Sequence, residues 1–123
     1  MEDIWLHFTK RKEHYLSILE NGFKMPSNEG RFGKGIYFCK DKSFGYFGDY
    51  KIRVNITEPI LELTHRQICK EIFPEFNLLE DEEGISMLKE YALKKGFKAV
   101  SIEYADGEKE LVAYDLKIIK IIK

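Results

Sequence analysis

The last quarter of the chain constrains its fold more than any other part. Between Lys98 and Lys123 three strand patterns follow one another, "KAVSIEY", "EKELVAYD" and "LKIIKIIK", with no helical pattern between them. The turn residues Ala105, Asp106 and Gly107 separate the first two, so this pair reads as an antiparallel hairpin. A doubly wound parallel sheet needs helices alternating regularly with its strands. This chain does not alternate that way, so an α+β domain is expected. The lysines of the terminal segment are those an edge strand uses to discourage unwanted pairing.

Upstream, the patterns are short and mixed. "DIWLHFT" reads as a first strand, with Trp5, His7 and Thr9 on one face and Leu6 and Phe8 on the other. "KRKEHYLSILENGF" reads as a helix whose apolar stripe is Tyr15, Ile18 and Leu19, stopped at Gly22. "MPSNEGRFGKG" is a loop, "GIYFC" a short buried strand, and "DKSFGYF" a short helix capped by Asp41. "KIRVNIT" alternates, with Ile52, Val54 and Ile56 inward. Pro59 interrupts before "ILEL". "THRQICKEIF" starts a helix at Thr64, with Ile68, Ile72 and Phe73 inward. "EEGISMLKEYALKKGF" is a helix with Ile85, Leu88, Tyr91, Ala92 and Leu93 apolar, closed by Gly96. The sum is one α+β domain over residues 1–123, with about six strands and about three helices.

Bulk properties bound the function. A chain of 123 residues, 44% hydrophobic and 33% charged, suits one soluble domain with a real core. Net charge is −1, which gives no basic footprint for duplex DNA. The start "MEDIWLHF" lacks the charged and apolar regions of a signal peptide, and no run is long enough to span a membrane. Cys39 and Cys69 stand thirty residues apart, without metal-type spacing. With His7, His14 and His65 dispersed as well, no metal site is expected, and the thiols are read as reduced in a cytoplasm.

One stretch does not fit a plain turn or core strand. Glu29–Gly48, "EGRFGKGIYFCKDKSFGYFG", holds Gly30, Gly33, Gly35, Gly45 and Gly48, five of the nine glycines in the chain. Phe32, Tyr37, Phe38, Phe44, Tyr46 and Phe47 sit among them. Glycine lets a backbone approach a ligand closely, and aromatic rings wall a flat one. The stretch lacks G-x-G-x-x-G opening a long helix, and it lacks a Gly-Lys-Ser/Thr ending. That argues against a Rossmann site and a phosphate loop.

Three residues are candidates for chemistry: His7 beside Thr9 on the first strand, Tyr37 within "GKGIYF", and Glu110 before "LVAYD". Each alone has an ordinary alternative. A histidine in an apolar strand packs more often than it reacts, a strand tyrosine packs, and a glutamate at a strand start is solvated.

Together, "LHFT", "GKGIYF" and "ELVAYD" followed by the apolar "LKII" resemble the ADP-ribosyltransferase fold. The class is the one with a His-Tyr-Glu triad, which includes poly(ADP-ribose) polymerase catalytic domains and diphtheria-type toxins. The resemblance runs from Leu6 to about Ile119, and "GKGIYF" is its most specific part. It implies that His7, Tyr37 and Glu110 are catalytic and that NAD is consumed as a substrate. It further implies that His7 contacts the adenine-side ribose, that Thr9 supports the first strand, and that the Phe8 backbone holds the nicotinamide amide. The family usually has glycine at the Phe8 position, so this contact requires the Phe8 side chain to point into the core. Gly35 would let the backbone approach, and Tyr37 would line the nicotinamide pocket. Ser43 would bond the amide, and Tyr46, or else Phe47 or Phe44, would stack on the ring.

The chemistry is coherent with those residue types. Cleaving the nicotinamide–ribose bond builds positive charge on the ribose, as glycoside cleavage does, and a fixed carboxylate stabilises it. "EKE" at Glu108–Glu110 also resembles the Glu-x-Glu of arginine-directed transferases, with Glu108 as a target-side candidate. The arginine and Ser-Thr-Ser elements of that class are absent from the sequence.

The resemblance therefore implies a mono-ADP-ribosyltransferase that modifies a macromolecular acceptor, a protein rather than a nucleic acid, with no membrane partner. Compact enzymes of this kind include toxins, phage effectors and anti-CRISPR proteins, which act in a cytoplasm, the host's if the protein is an effector. Two other readings stay open. An RNA 2′-phosphotransferase would need more basic residues. A non-catalytic module would bind an NAD-like ligand or a protein without turnover.

Overall fold

The structure, a computed structural model, describes residues 4–26, 34–40, 50–72 and 82–122, with backbone alone for 82–86. Its elements in chain order are β1 (Ile4–Thr9), α1 (Lys12–Asn21), β2 (Ile36–Cys39), β3 (Tyr50–Ile56) and β4 (Leu61–Thr64). Then come α2 (His65–Gln67), a π-helical turn (Ile68–Ile72), α3 (Glu82–Lys94), β5 (Ala99–Glu103), β6 (Lys109–Ala113) and β7 (Ile119–Ile121). The expected α+β arrangement is what forms. The strands make one seven-stranded sheet in the order β4-β5-β6-β2-β1-β3-β7. Only β4 and β5 run parallel; the other described pairings are antiparallel.

Local chemistry sets the element ends. Gly22 takes φ 83°, where a side chain would be strained, and its N–H bonds the Ile18 carbonyl to close α1. Thr64 and Gln67 form a reciprocal capping box that starts α2. The expected hairpin forms between β5 and β6, with Gly107 at φ 88° in its turn.

Three expectations are corrected. The segment after Pro59 is a strand in its own right, because it finds a parallel partner in β5. The helix expected over "THRQICKEIF" is α-helical for three residues and then widens to a π-turn. The terminal strand is only three residues long. The Asp115 carboxylate accepts the Lys117 N–H and winds Leu116–Ile118 into a 3₁₀ turn first. What remains, β7, does sit at an edge of the sheet.

The sheet carries a separate core on each face. Strand alternation puts Trp5, Phe38, Ile52, Val54, Leu111 and Ala113 on one face, where Ile18 of α1 packs on them. Val100, Ile102, Val112 and Tyr114 point the other way, under Leu88 and Ala92 of α3 and Ile68. Each fully buried aliphatic side chain here contributes about 1.5–3 kcal/mol. Leu93, expected within the apolar stripe of α3, is 45% exposed instead.

The sheet is split. β1 pairs with β3 over six residues and β2 with β6 over four, whereas β1 meets β2 at a single register pair, Leu6 with Cys39. Two half-sheets, β4-β5-β6-β2 and β1-β3-β7, thus part just beyond that pair. Close packing pins the start of β2 on the far side. A Cβ on Gly35 would lie 2.7 Å from both the Ala113 carbonyl oxygen and the Val112 Cγ2. Gly35→Ala should therefore destabilise the fold by about 1–3 kcal/mol through overpacking. Chemical denaturation checks this, and an unchanged midpoint would show that β2 shifts freely.

Candidate functional site

The parting of β1 from β2 brings His7 and Tyr37 together. His7 Nδ1 lies 2.8 Å from the Tyr37 carbonyl oxygen. A carbonyl only accepts, so Nδ1 carries the proton and donates it. In the neutral ring, Nε2 is then left as an acceptor. The ring is also held edge-on by Phe23 and Phe38, with centroids 5.0 and 5.6 Å away. Burial pulls the His7 pKa below its ordinary value. The Tyr37 carbonyl opposes that shift, and nearby His14 adds to it. His7 is therefore neutral at pH 7.

His7 borders a pocket of about 440 Å³ at the end of α1. His14, Phe23, Pro26, Gly35 and Tyr37 also line it. Phe23 plays no part in the sequence reading. The signal for it was present, because an apolar residue directly after a helix-stopping glycine commonly packs back on the fold.

Tyr37 and Glu110 belong to the opposite face. Tyr37 pairs with Val112, and Cys39 pairs with Glu110, so the Tyr37 and Glu110 side chains leave the sheet on the same side. They are diagonal neighbours, which lie roughly 7–8 Å apart in an antiparallel ladder. Glu110 is half-buried, and its Oε1 is shut off from solvent. Tyr114 continues this face. Burial, and then the proximity of Tyr37, push its hydroxyl far above the usual range, so it stays protonated. Lys89 reaches over from α3, with Nζ 5.5 Å from the Tyr114 ring centre and 3.3 Å from the Lys34 carbonyl oxygen, to which it donates.

The three candidate side chains therefore do not share one face of the sheet. Register places Tyr37 and Glu110 on one face and His7 on the other, since His7 follows Leu6, the partner of Cys39. His7 reaches its partner through the β2 backbone. One further expectation is corrected. Trp5 and Thr9 are the fully buried residues of β1, while Phe8 is half-buried on the Leu6 face, so Phe8 does not fill the core in the expected way. The lack of a side chain at Gly35 is required by β6, which explains that glycine without a ligand.

Thr9 Oγ1 donates to the Arg11 carbonyl at 3.4 Å, where the chain turns into α1. Glu108 lies in the β5–β6 turn, with its N–H bonded to Asp106 Oδ1 and its carbonyl to the Tyr104 N–H. Ser43, Phe44, Tyr46 and Phe47, with the short helix expected around them, lie outside the described residues. Among the described residues, no group of three or more His, Cys, Asp or Glu is placed to hold a metal ion. Among them also, no helix is long and apolar enough to cross a membrane.

No family model matches this sequence, and no curated protein matches it. A solved structure described as "Crystal structure of an anti-CRISPR protein" is similar with a TM-score of 0.49 and 14% identity, over 99% of this chain and 96% of that chain.

The His7 environment yields a pH prediction. Its folded pKa is lowered, so below the ordinary value near 6.5 the unfolded chain takes up a proton that the folded chain refuses. Stability should fall as pH drops through that value and level off below the folded pKa. Urea unfolding at neutral and mildly acidic pH measures it. His7→Gln should reduce the pH dependence, and an unchanged slope would show that His7 is not its source.

Proposed function

We propose that the protein is a mono-ADP-ribosyltransferase that consumes NAD, releases nicotinamide and modifies a protein acceptor. The observation that carries this reading is the shared face of Tyr37 and Glu110, together with the bond that ties His7 to the Tyr37 carbonyl. A carboxylate with one oxygen sheltered from water acts in a low dielectric, where it stabilises a developing ribose cation most strongly. Tyr37 supplies a flat wall beside it. His7, held as the Nδ1–H tautomer, offers Nε2 to a ribose hydroxyl. A dinucleotide lying across the parting strands would meet Glu110 and Tyr37 with its nicotinamide half and His7 with its adenosine half.

No step requires a metal. The bond between the ribose C1′ and the nicotinamide nitrogen breaks, with the electron pair leaving on nicotinamide. A nucleophilic atom of the acceptor then bonds to C1′ and gives up its proton. Phage effectors and anti-CRISPR enzymes are the expected setting for so compact a transferase.

Incubating the protein with labelled NAD and a cell lysate tests the proposal. Label should pass to a discrete protein band, with matching nicotinamide release. Glu110→Gln should lower both by about 100-fold or more, the usual scale for losing one preorganised charge contact. Absence of transfer and of nicotinamide release would overturn the reading. NAD binding without turnover would instead identify a ligand-binding module.

A further inference from the structure

The half-sheet β1-β3-β7 has one face covered by α1 and another on which, among the described residues, no helix packs. α1 covers the side of Trp5, Ile52 and Val54. On the other side, register sets Phe8 beside Lys51, Leu6 beside Arg53 and Ile4 beside Asn55, and Lys120 of β7 lies beside Asn55. Among the described residues, no helix packs there; α3 lies on the same side but over β5 and β6. The result is an apolar row next to a cationic row. Ile4 is 37% exposed, Leu6 and Phe8 are half-buried, and Lys51, Arg53 and Lys120 are exposed.

The three cations of this face have no ion-pair partner among the described residues, such as Lys98 has in Glu58 and Asp115, so they are open to an acidic partner. An outward strand face is ordinarily polar throughout, yet here one of its rows is Ile4, Leu6 and Phe8. The face also continues across the Leu6–Cys39 pair onto Tyr37 and Glu110.

We infer that this face docks the acceptor, and that its occupant is an extended protein segment in which acidic and apolar residues alternate. The inference rests on the function proposed above. Carboxylates meet the row of Lys51, Arg53 and Lys120, and apolar side chains lie on Ile4, Leu6 and Phe8. Such a segment would lie along β1, and Glu110 stands across the sheet from Leu6 through Cys39. A single-stranded nucleic acid fits less well. Two of the three apolar residues are aliphatic and offer no stacking surface, and the chain as a whole is net negative.

Binding can be measured without NAD, so it separates this inference from the catalytic one. Three fluorescent probes suffice: a seven-residue peptide alternating glutamate and leucine, its lysine counterpart, and an oligodeoxythymidine of similar length. The acidic peptide should bind, and raising salt from about 50 to 300 mM should weaken it. The charge-reversal pair Lys51→Glu with Arg53→Glu should weaken it at least 10-fold, and Lys120→Glu less. Nicotinamide release should not change in either variant, and thermal melts check their folding. Equal binding of the lysine peptide, insensitivity to charge reversal, or tighter binding of the oligonucleotide would overturn the inference. So would failure of the acidic peptide to bind. If nicotinamide release is absent in every form while peptide binding behaves as expected, the catalytic reading fails and the docking face stands.

Discussion

The seam between β1 and β2 is the constraint on which the rest of the molecule depends. One register pair, Leu6 with Cys39, joins two half-sheets that are each far more extensively paired within themselves. So short a ladder contributes little on its own. What closes the seam is packing on one face, where Trp5, Ile52 and Val54 from one half share a core with Phe38, Leu111 and Ala113 from the other. The His7 bond to the Tyr37 carbonyl adds a second tie just where the ladder ends. The strands can part there without leaving a buried carbonyl unsatisfied, which would otherwise cost about 1–3 kcal/mol.

That parting also explains how the candidate groups are distributed. An antiparallel ladder obliges paired residues to share a face, so Glu110 goes with Cys39 and Tyr37 with Val112. His7 is one residue out of step with Leu6 and must leave on the other side. The ring compensates by donating into the backbone of the strand that carries Tyr37. A change at His7 is thereby transmitted to the position of the Tyr37 main chain, and the tautomer of His7 is set by a main-chain atom that mutation of a side chain does not remove.

Much of the fold was legible because it is written in local patterns. The alternation of Ile52 and Val54, the stripe of α1, the stop at Gly22, the Thr64 cap and the β5–β6 turn all act over a few residues, and all formed as read. The misreadings share a cause in longer-range partners. β4 became a strand because β5, more than thirty residues further along the chain, offered it a parallel edge, and no local pattern announces such a partner. The end of the chain lost strand length to one Asp115 turn, which competes with the ladder through a side-chain bond. The candidate site was legible as a set of residues but not as a geometry: Tyr37 and Glu110 came together, and His7 did not join them on their face.

The sequence by itself determined most of the element types, much of the core and the residue classes available for chemistry. Those follow from periodicity, turn residues and side-chain identity, which are properties of short windows. Only the tertiary structure decided which strands are neighbours, and with that which side chains share a face. It also decided that the absent side chain at Gly35 serves packing against β6, and that Lys51, Arg53 and Lys120 lie on the face of the sheet that carries Tyr37 and Glu110. These depend on register between segments far apart in the chain. A shift of one residue in that register would reverse every face assignment while leaving the local patterns unchanged.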